Sequence, residues 1–156
     1  MIEIKSPSLQ FLDSKGNVRY PNTKYLSCFL AGGITNCHDW QSDVVRLLSD
    51  TNITFLNPRR EDFDVNNKTH SELQIVWEHA HLGSVEVIAF WFPWETLCPI
   101  SLFELGAHIN KKIIVGVDPE YQRKFDVIQQ MKLARPDLTV MTSFDDFVAE
   151  IRQTIC

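Results

Sequence analysis

The sequence predicts a Rossmann-like or flavodoxin-like α/β fold, a three-layer sandwich around a five-stranded parallel sheet, with an N-terminal hairpin or edge decoration. Three observations carry this. Short apolar runs rich in β-branched residues recur along the chain, and helix-patterned stretches separate them. The 156 residues, 44% of them hydrophobic, suit one domain (1–156) that builds its own core. Strand and helix alternate five times, the pattern of right-handed crossovers and a parallel sheet covered on both faces.

The strands are expected at Tyr25–Ala31, Ile53–Leu56, Val87–Phe92 and Ile113–Val117, with Leu138–Met141 as a weaker fifth. Each of the first four runs into a turn: Gly32-Gly33, Asn57-Pro58, Pro93 and Asp118-Pro119. Between them, Asp39–Leu48 places Trp40, Val44, Leu47 and Leu48 on one stripe, and Thr69–Leu82 does the same with Leu73, Val76, Trp77 and Ala80. Helices are also expected over Leu102–Ile109, Tyr121–Leu133 and Phe144–Ile155. The last is opened by Thr142 or Ser143, with Asp145 and Asp146 in its first turn. Residues 1–24 differ: Leu9–Leu12 and Asn17–Tyr20 flank Asp13-Ser14-Lys15-Gly16, a hairpin or edge pattern.

Composition narrows the function. No apolar run approaches the roughly 20 residues of a membrane span, and Met1–Lys5 lacks the basic and apolar stretches of a signal peptide. A net charge of −5 leaves little excess positive charge for a nucleic-acid backbone. Cys28, Cys37, Cys98 and Cys156 are widely spaced, and the five histidines form no zinc pattern, so a reduced, cytoplasmic protein without metal or cofactor is expected.

In open α/β sheets, ligands bind beyond the carboxyl ends of the strands. The loop Ala31-Gly32-Gly33-Ile34-Thr35 precedes a helix opened by His38 or Asp39. Its glycines let backbone approach a ligand, or simply make a tight turn. It is neither a dinucleotide fingerprint nor a P-loop. After the second run, Asn57-Pro58-Arg59-Arg60 sets two guanidiniums at the mouth, for an anion or for pairing with Glu61, Asp62 or Asp64. Gln74 and Glu78, four apart on a helix, share a face that can point into the cleft.

After the third run, Trp91, Phe92 and Trp94 offer rings for stacking or core packing. Ser101 and Glu104 follow, and two readings compete for them. They fit S-x-x-E, a capping box in which the glutamate returns a hydrogen bond to the cap. Alternatively, Glu104 is a reactive carboxylate whose pKa burial raises and a helix N-terminus lowers. Tyr121 and Arg123, after the fourth run, lie near the same mouth, with Arg123 suited to pairing with Glu120 or Asp126.

Five segments in order, FLAGGITNCHDWQ, LNPRRED, QIVWEHAHLGSVEVIAFWFP, PISLFELGAH and VGVDPEYQRKFDV, resemble the nucleoside 2-deoxyribosyltransferase-like family over roughly residues 26–130. The group is related to nucleoside deoxyribosyltransferases and 2′-deoxynucleoside 5′-monophosphate N-glycosidases. The resemblance implies cleavage of the bond between a nucleobase and its sugar. It implies Glu104, in FELG, as the nucleophile at the anomeric carbon, and Glu78 as the assisting acidic residue. The chemistry of the leaving base, which needs a proton, makes Glu78 the first candidate donor and Asp39 a distant second. The resemblance further implies that Ala31–Thr35 contact the ligand, and that the chain forms a homodimer or higher oligomer. The chain departs from the family pattern at Leu97–Ser101, where deoxyribosyltransferases carry a glycine-rich segment with an aspartate, and in having glutamate at 78 rather than aspartate.

A carboxylate that stabilises oxocarbenium character and traps the sugar suits this chemistry, and double displacement retains configuration. Either a second base or water is the acceptor. If the substrate carries phosphate, Arg59, Arg60 and the first loop are its expected contacts. The rival reading is a nucleotide-sensing module that binds without turnover.

Overall fold

The computed structural model describes residues 1–6, 26–60 and 66–155. Ten elements follow in chain order: β1 (Ile2–Lys5), β2 (Leu26–Gly32), α1 (Trp40–Leu47), β3 (Ile53–Asn57), α2 (Lys68–Ser84), β4 (Val87–Phe92), α3 (Pro99–Ala107), β5 (Ile113–Val117), α4 (Lys124–Ala134) and α5 (Phe144–Ile155). The sheet order is β1-β3-β2-β4-β5 and every pairing is parallel. The chain steps from β2 outward to β3, then crosses back to β4 on the other side of β2. The loops after β2 and β4 therefore diverge at the switch point, where an open sheet leaves a crevice.

Side-chain alternation sorts the core into two layers. Cys28, Leu30, Phe55, Ala89, Trp91 and Ile114 face α1 and α5, meeting Trp40, Val44 and Phe147. Phe29, Leu56, Phe90, Phe92, Val115 and Val117 face α2, α3 and α4, meeting Trp77, Leu105, Val127 and Met131. Strands buried on both faces explain the unbroken apolar runs.

The fifth strand is not the one expected. Leu138–Met141 makes only an isolated bridge, Met141 to Gly116, through hydrogen bonds from Val117 N to Met141 O and from Met141 N to Val115 O. It lies between Pro136 and the Ser143 cap of α5, and Leu138 and Val140 are only half buried. Residues 2–5 take the fifth position, in register with β3 from Ile2↔Thr54 to Lys5↔Asn57. The expected hairpin over 9–20 lies outside the described residues.

The helices are found where expected, with four departures in detail. Leu47, expected on the α1 stripe, is exposed, and α4 begins at Lys124 rather than Tyr121. In α2, Leu73 and Val76 are exposed, and the inward face carries Gln74, Trp77, His81 and Leu82 instead. That face holds a polar residue because it ends at the cleft. In α3, the first turn is Pro99-Ile100-Ser101, three residues earlier than expected, with Cys98 in the left-handed region (φ 49°) as N-cap. Proline at the first helical position needs no partner for a missing N–H.

Candidate active site

A cleft of about 380 Å³ opens at the carboxyl ends of β2 and β3, between α2 and the start of α3. Its floor is the loop after β2. Gly33 packs so tightly against the loop after β4 that an added Cβ would lie 2.6 Å from Pro93 and 3.0 Å from the Cys98 sulfur. No bulkier residue fits this junction, which answers why the sequence has glycine there.

Of the expected site residues, Ala31, Gly32, Gly33, Ile34, Thr35, Arg60, Glu78, Ser101 and Glu104 all line this cleft. The α3 boundary removes the capping-box reading. Ser101 is the third helical residue rather than the cap, and Glu104 sits one turn further along. Among the described residues the Glu104 carboxyl accepts no hydrogen bond. Burial pushes it up to about 8, and the Glu78 charge adds to the rise. Glu78 is also raised by burial, an effect partly offset by an N–H from Gln74.

Five expected residues lie elsewhere. Asp39 caps α1, accepting from Ser42 N at 3.1 Å, and pairs with Arg59. Arg59 turns toward the first loop, where its guanidinium meets Gln41 Oε1 at 3.1 Å, His38 O at 3.0 Å and Asp39 Oδ1 at 3.1 Å. Asn57 is fully buried, donates to Glu3 Oε1 at 2.8 Å and accepts from Arg59 N, tying β3 to β1. Trp91 faces the opposite layer, packed edge-on to Phe144 and tilted on Phe147. Trp94 is exposed on the turn after β4 and does not line the cleft.

Asp39, Asn57 and Arg59 therefore build the site without entering it, and Trp91 belongs to the core. Phe92 is core as well, its ring tilted against that of Tyr121, whose hydroxyl donates to Leu97 O at 2.8 Å. Arg123 pairs with Asp126.

The first loop is held at one atom in particular. The Gly33 carbonyl accepts from Trp40 Nε1 at 2.9 Å and from Gln41 Nε2 at 3.2 Å, with Arg59 Nη2 at 3.5 Å. Fixing that oxygen fixes the planar peptide to Ile34, so the backbone beside the cleft is set before any ligand arrives.

The cleft also gathers residues that sequence reasoning left out of the site, chiefly Ser71, Ile75, Pro58, Thr96, Cys98 and Ile100. Ser71 and Ile75 stand seven and three positions before Glu78, the spacing of one helical face, so that signal was available. Cys98 reads in sequence as part of an apolar stretch, and burial pushes its thiol up to about 12. Among the described residues, no three His, Cys, Asp or Glu side chains converge as a metal site, and no helix is long and apolar enough to cross a membrane.

No curated protein matches the sequence. The family model described as nucleoside 2-deoxyribosyltransferase like matches residues 25–121, more than half of the chain. That segment carries both carboxyls of the cleft, its glycine floor and Arg60. This chain belongs to the nucleoside 2-deoxyribosyltransferase-like family.

Proposed function

We propose that the protein cleaves the N-glycosidic bond of a nucleoside or nucleotide, with Glu104 as nucleophile and Glu78 as acid and base. The observation that supports this most directly is the pair of carboxyls in one cleft, both raised by burial. Like charges in one cleft disfavour double ionisation, so the pair keeps one proton between them until Glu104 titrates, and the reaction needs both a carboxylate and a carboxylic acid.

Burial and the Glu78 charge favour the proton on Glu104 at neutral pH, so the reactive form, with the proton on Glu78 and Glu104 ionised, is the minor of the two singly protonated forms. A Glu104 oxygen bonds to the anomeric carbon as the C–N bond breaks. The bonding pair goes to the base nitrogen, and Glu78 delivers the proton there or to a conjugated ring atom. The Glu78 carboxylate then takes a proton from water, or from the N–H of an acceptor base. The attacking atom displaces Glu104 from the sugar, so configuration at the anomeric carbon is retained. Ile34, Ile75 and Ile100 give the cleft apolar walls against which a flat base fits. No cofactor enters these steps.

Arg60 at the cleft favours the narrower reading of a nucleoside 5′-monophosphate hydrolase, since a guanidinium suits phosphate. Exposed Ile75 and Val76 on α2 with Ile100 and Phe103 on α3 favour a second copy of the chain against this rim. The free thiols of Cys28, Cys37 and Cys98 suit a reducing, cytoplasmic setting.

The test is chromatographic detection of free base from nucleosides and their 5′-monophosphates, with and without an acceptor base. Release by wild type that disappears in Glu104→Ala is expected. Acceptor dependence separates transfer from hydrolysis. No release from any compound, alongside thermal stabilisation by nucleotides, would replace this reading with a sensing module.

A further inference from the structure

The Gln74 side chain sits between three partners, and each fixes a different atom. Its Nε2 donates to the Pro58 carbonyl at 2.8 Å and to Glu78 Oε1 at 2.8 Å. Its Oε1 accepts from the Ser6 hydroxyl at 2.5 Å. A backbone carbonyl can only accept, so Pro58 decides which end of the amide is the NH₂ group. With one hydrogen on Pro58, the other points at Glu78. The residue is 8% exposed, so water does not substitute for these contacts.

We propose that Gln74 is a positioning residue that occupies Oε1 of Glu78 and thereby commits the other oxygen, Oε2, to carrying the proton. An oxygen that already accepts an N–H is the less basic of the two, so protonation falls on its neighbour. This deepens the two-carboxyl reading above and rests on it for its catalytic meaning. Family membership does not predict it, because one of the three anchors, Ser6, lies outside the segment that defines the family.

The ionisable groups around Glu78 are few. Glu104 comes from α3, Cys98 from its cap, and Arg60 from the connection after β3. The first loop contributes backbone, Ile34 and Thr35, and Ser71 is the neutral neighbour on α2. Among the described residues, Gln74 is the hydrogen-bond donor that the fold sets against Glu78. Removing it disfavours the charged form of Glu78.

The experiment is a carboxyl titration by NMR on protein labelled at glutamate Cδ, with Glu78 and Glu104 assigned by Glu78→Gln and Glu104→Gln. In Gln74→Met the Glu78 titration is expected to move up by about one pH unit, and the acid limb of base release moves with it. A purely structural Gln74 would lower the melting temperature and leave that titration where it was. An unchanged Glu78 titration in folded Gln74→Met overturns the proposal.

A second readout needs no variant at position 74. In wild type, the Gln74 side-chain amide resonance is expected to shift as Glu78 titrates, and to stop doing so in Glu78→Gln. A resonance that stays flat through the Glu78 titration also overturns it. Neither readout uses turnover. If no nucleoside or nucleotide releases base, the functional reading fails while the titrations still decide the role of Gln74.

Discussion

Glu78 on α2 stands close enough to Glu104 on α3 for its charge to add to the burial that lifts the Glu104 carboxyl to about 8. Neither group has an ordinary carboxylate environment, and the Glu78 charge makes Glu104 harder to ionise. The first consequence is a bell-shaped pH dependence. Below the Glu78 titration both carboxyls are protonated and no nucleophile exists. Above about 8 both are ionised, and the leaving base has no acid. Base release measured across pH 4–10 is expected to fall on the alkaline side near 8, and Glu78→Gln removes that alkaline limb along with most of the rate.

Stability carries the same signature with a definite sign. A carboxyl held at about 8 in the fold, against an ordinary value of 4.5, keeps its proton in the native state over a range where the unfolded chain has lost it. The contribution is present in full below pH 4.5, declines as pH rises, and is lost at about 8. Glu104→Gln removes the cost of a buried charge. It is expected to stabilise the protein by on the order of 2 kcal/mol at pH 9 and very little at pH 4.5. Urea denaturation at the two pH values measures the difference.

Arg59 is expected to matter without touching substrate. Arg59→Met leaves Gln41 Oε1 without its donor and Asp39 without its cation, and takes from the His38 carbonyl one of its two donors, the Trp40 N–H remaining. A loss of about 2 kcal/mol in urea denaturation is expected. Nucleotide binding, followed by calorimetry, weakens along with it because the first loop loses its brace. Arg60→Met, by contrast, is expected to weaken binding of 5′-monophosphates more than of nucleosides.

The contrast between these neighbours shows where sequence reading stops. Strands β2, β3, β4 and β5 were legible because burial on two faces leaves continuous apolar runs. Glu104 and Glu78 were legible through the motifs around them. Arg59 and Arg60 were not separable, because the chain leaves strand geometry at Pro58 and the rule of two ceases to say which side chain turns inward. Trp91 was separable in principle: its parity matches Ala89 and Val87, which face α1 and α5, while Phe90 and Phe92 face the other layer. Strand β1 left little trace, since in four residues only Ile4 is fully buried. Ser6 left none, because its partner is 68 positions away.

Self-association offers a direct check on the exposed rim. Phe103 is 75% exposed and Ile100 66%, on the same helix that carries Glu104. If a second copy covers them, sedimentation gives a dimer for wild type, and Phe103→Glu gives a monomer that keeps its melting temperature to within a few degrees. A wild-type monomer at all concentrations would leave the rim to another occupant.

Among the described residues, β1 is the outermost strand of the sheet, and the residue that follows it steadies the amide beside Glu78. A chain without residues 1–6 would keep both carboxyls, the glycine floor and the whole segment by which the family is recognised. It would lose Ser6 from Gln74 and Glu3 from Asn57. Such a fragment would be a family member by sequence and a different acid by chemistry, because the tuning of this site begins at the margin of the fold rather than at its centre.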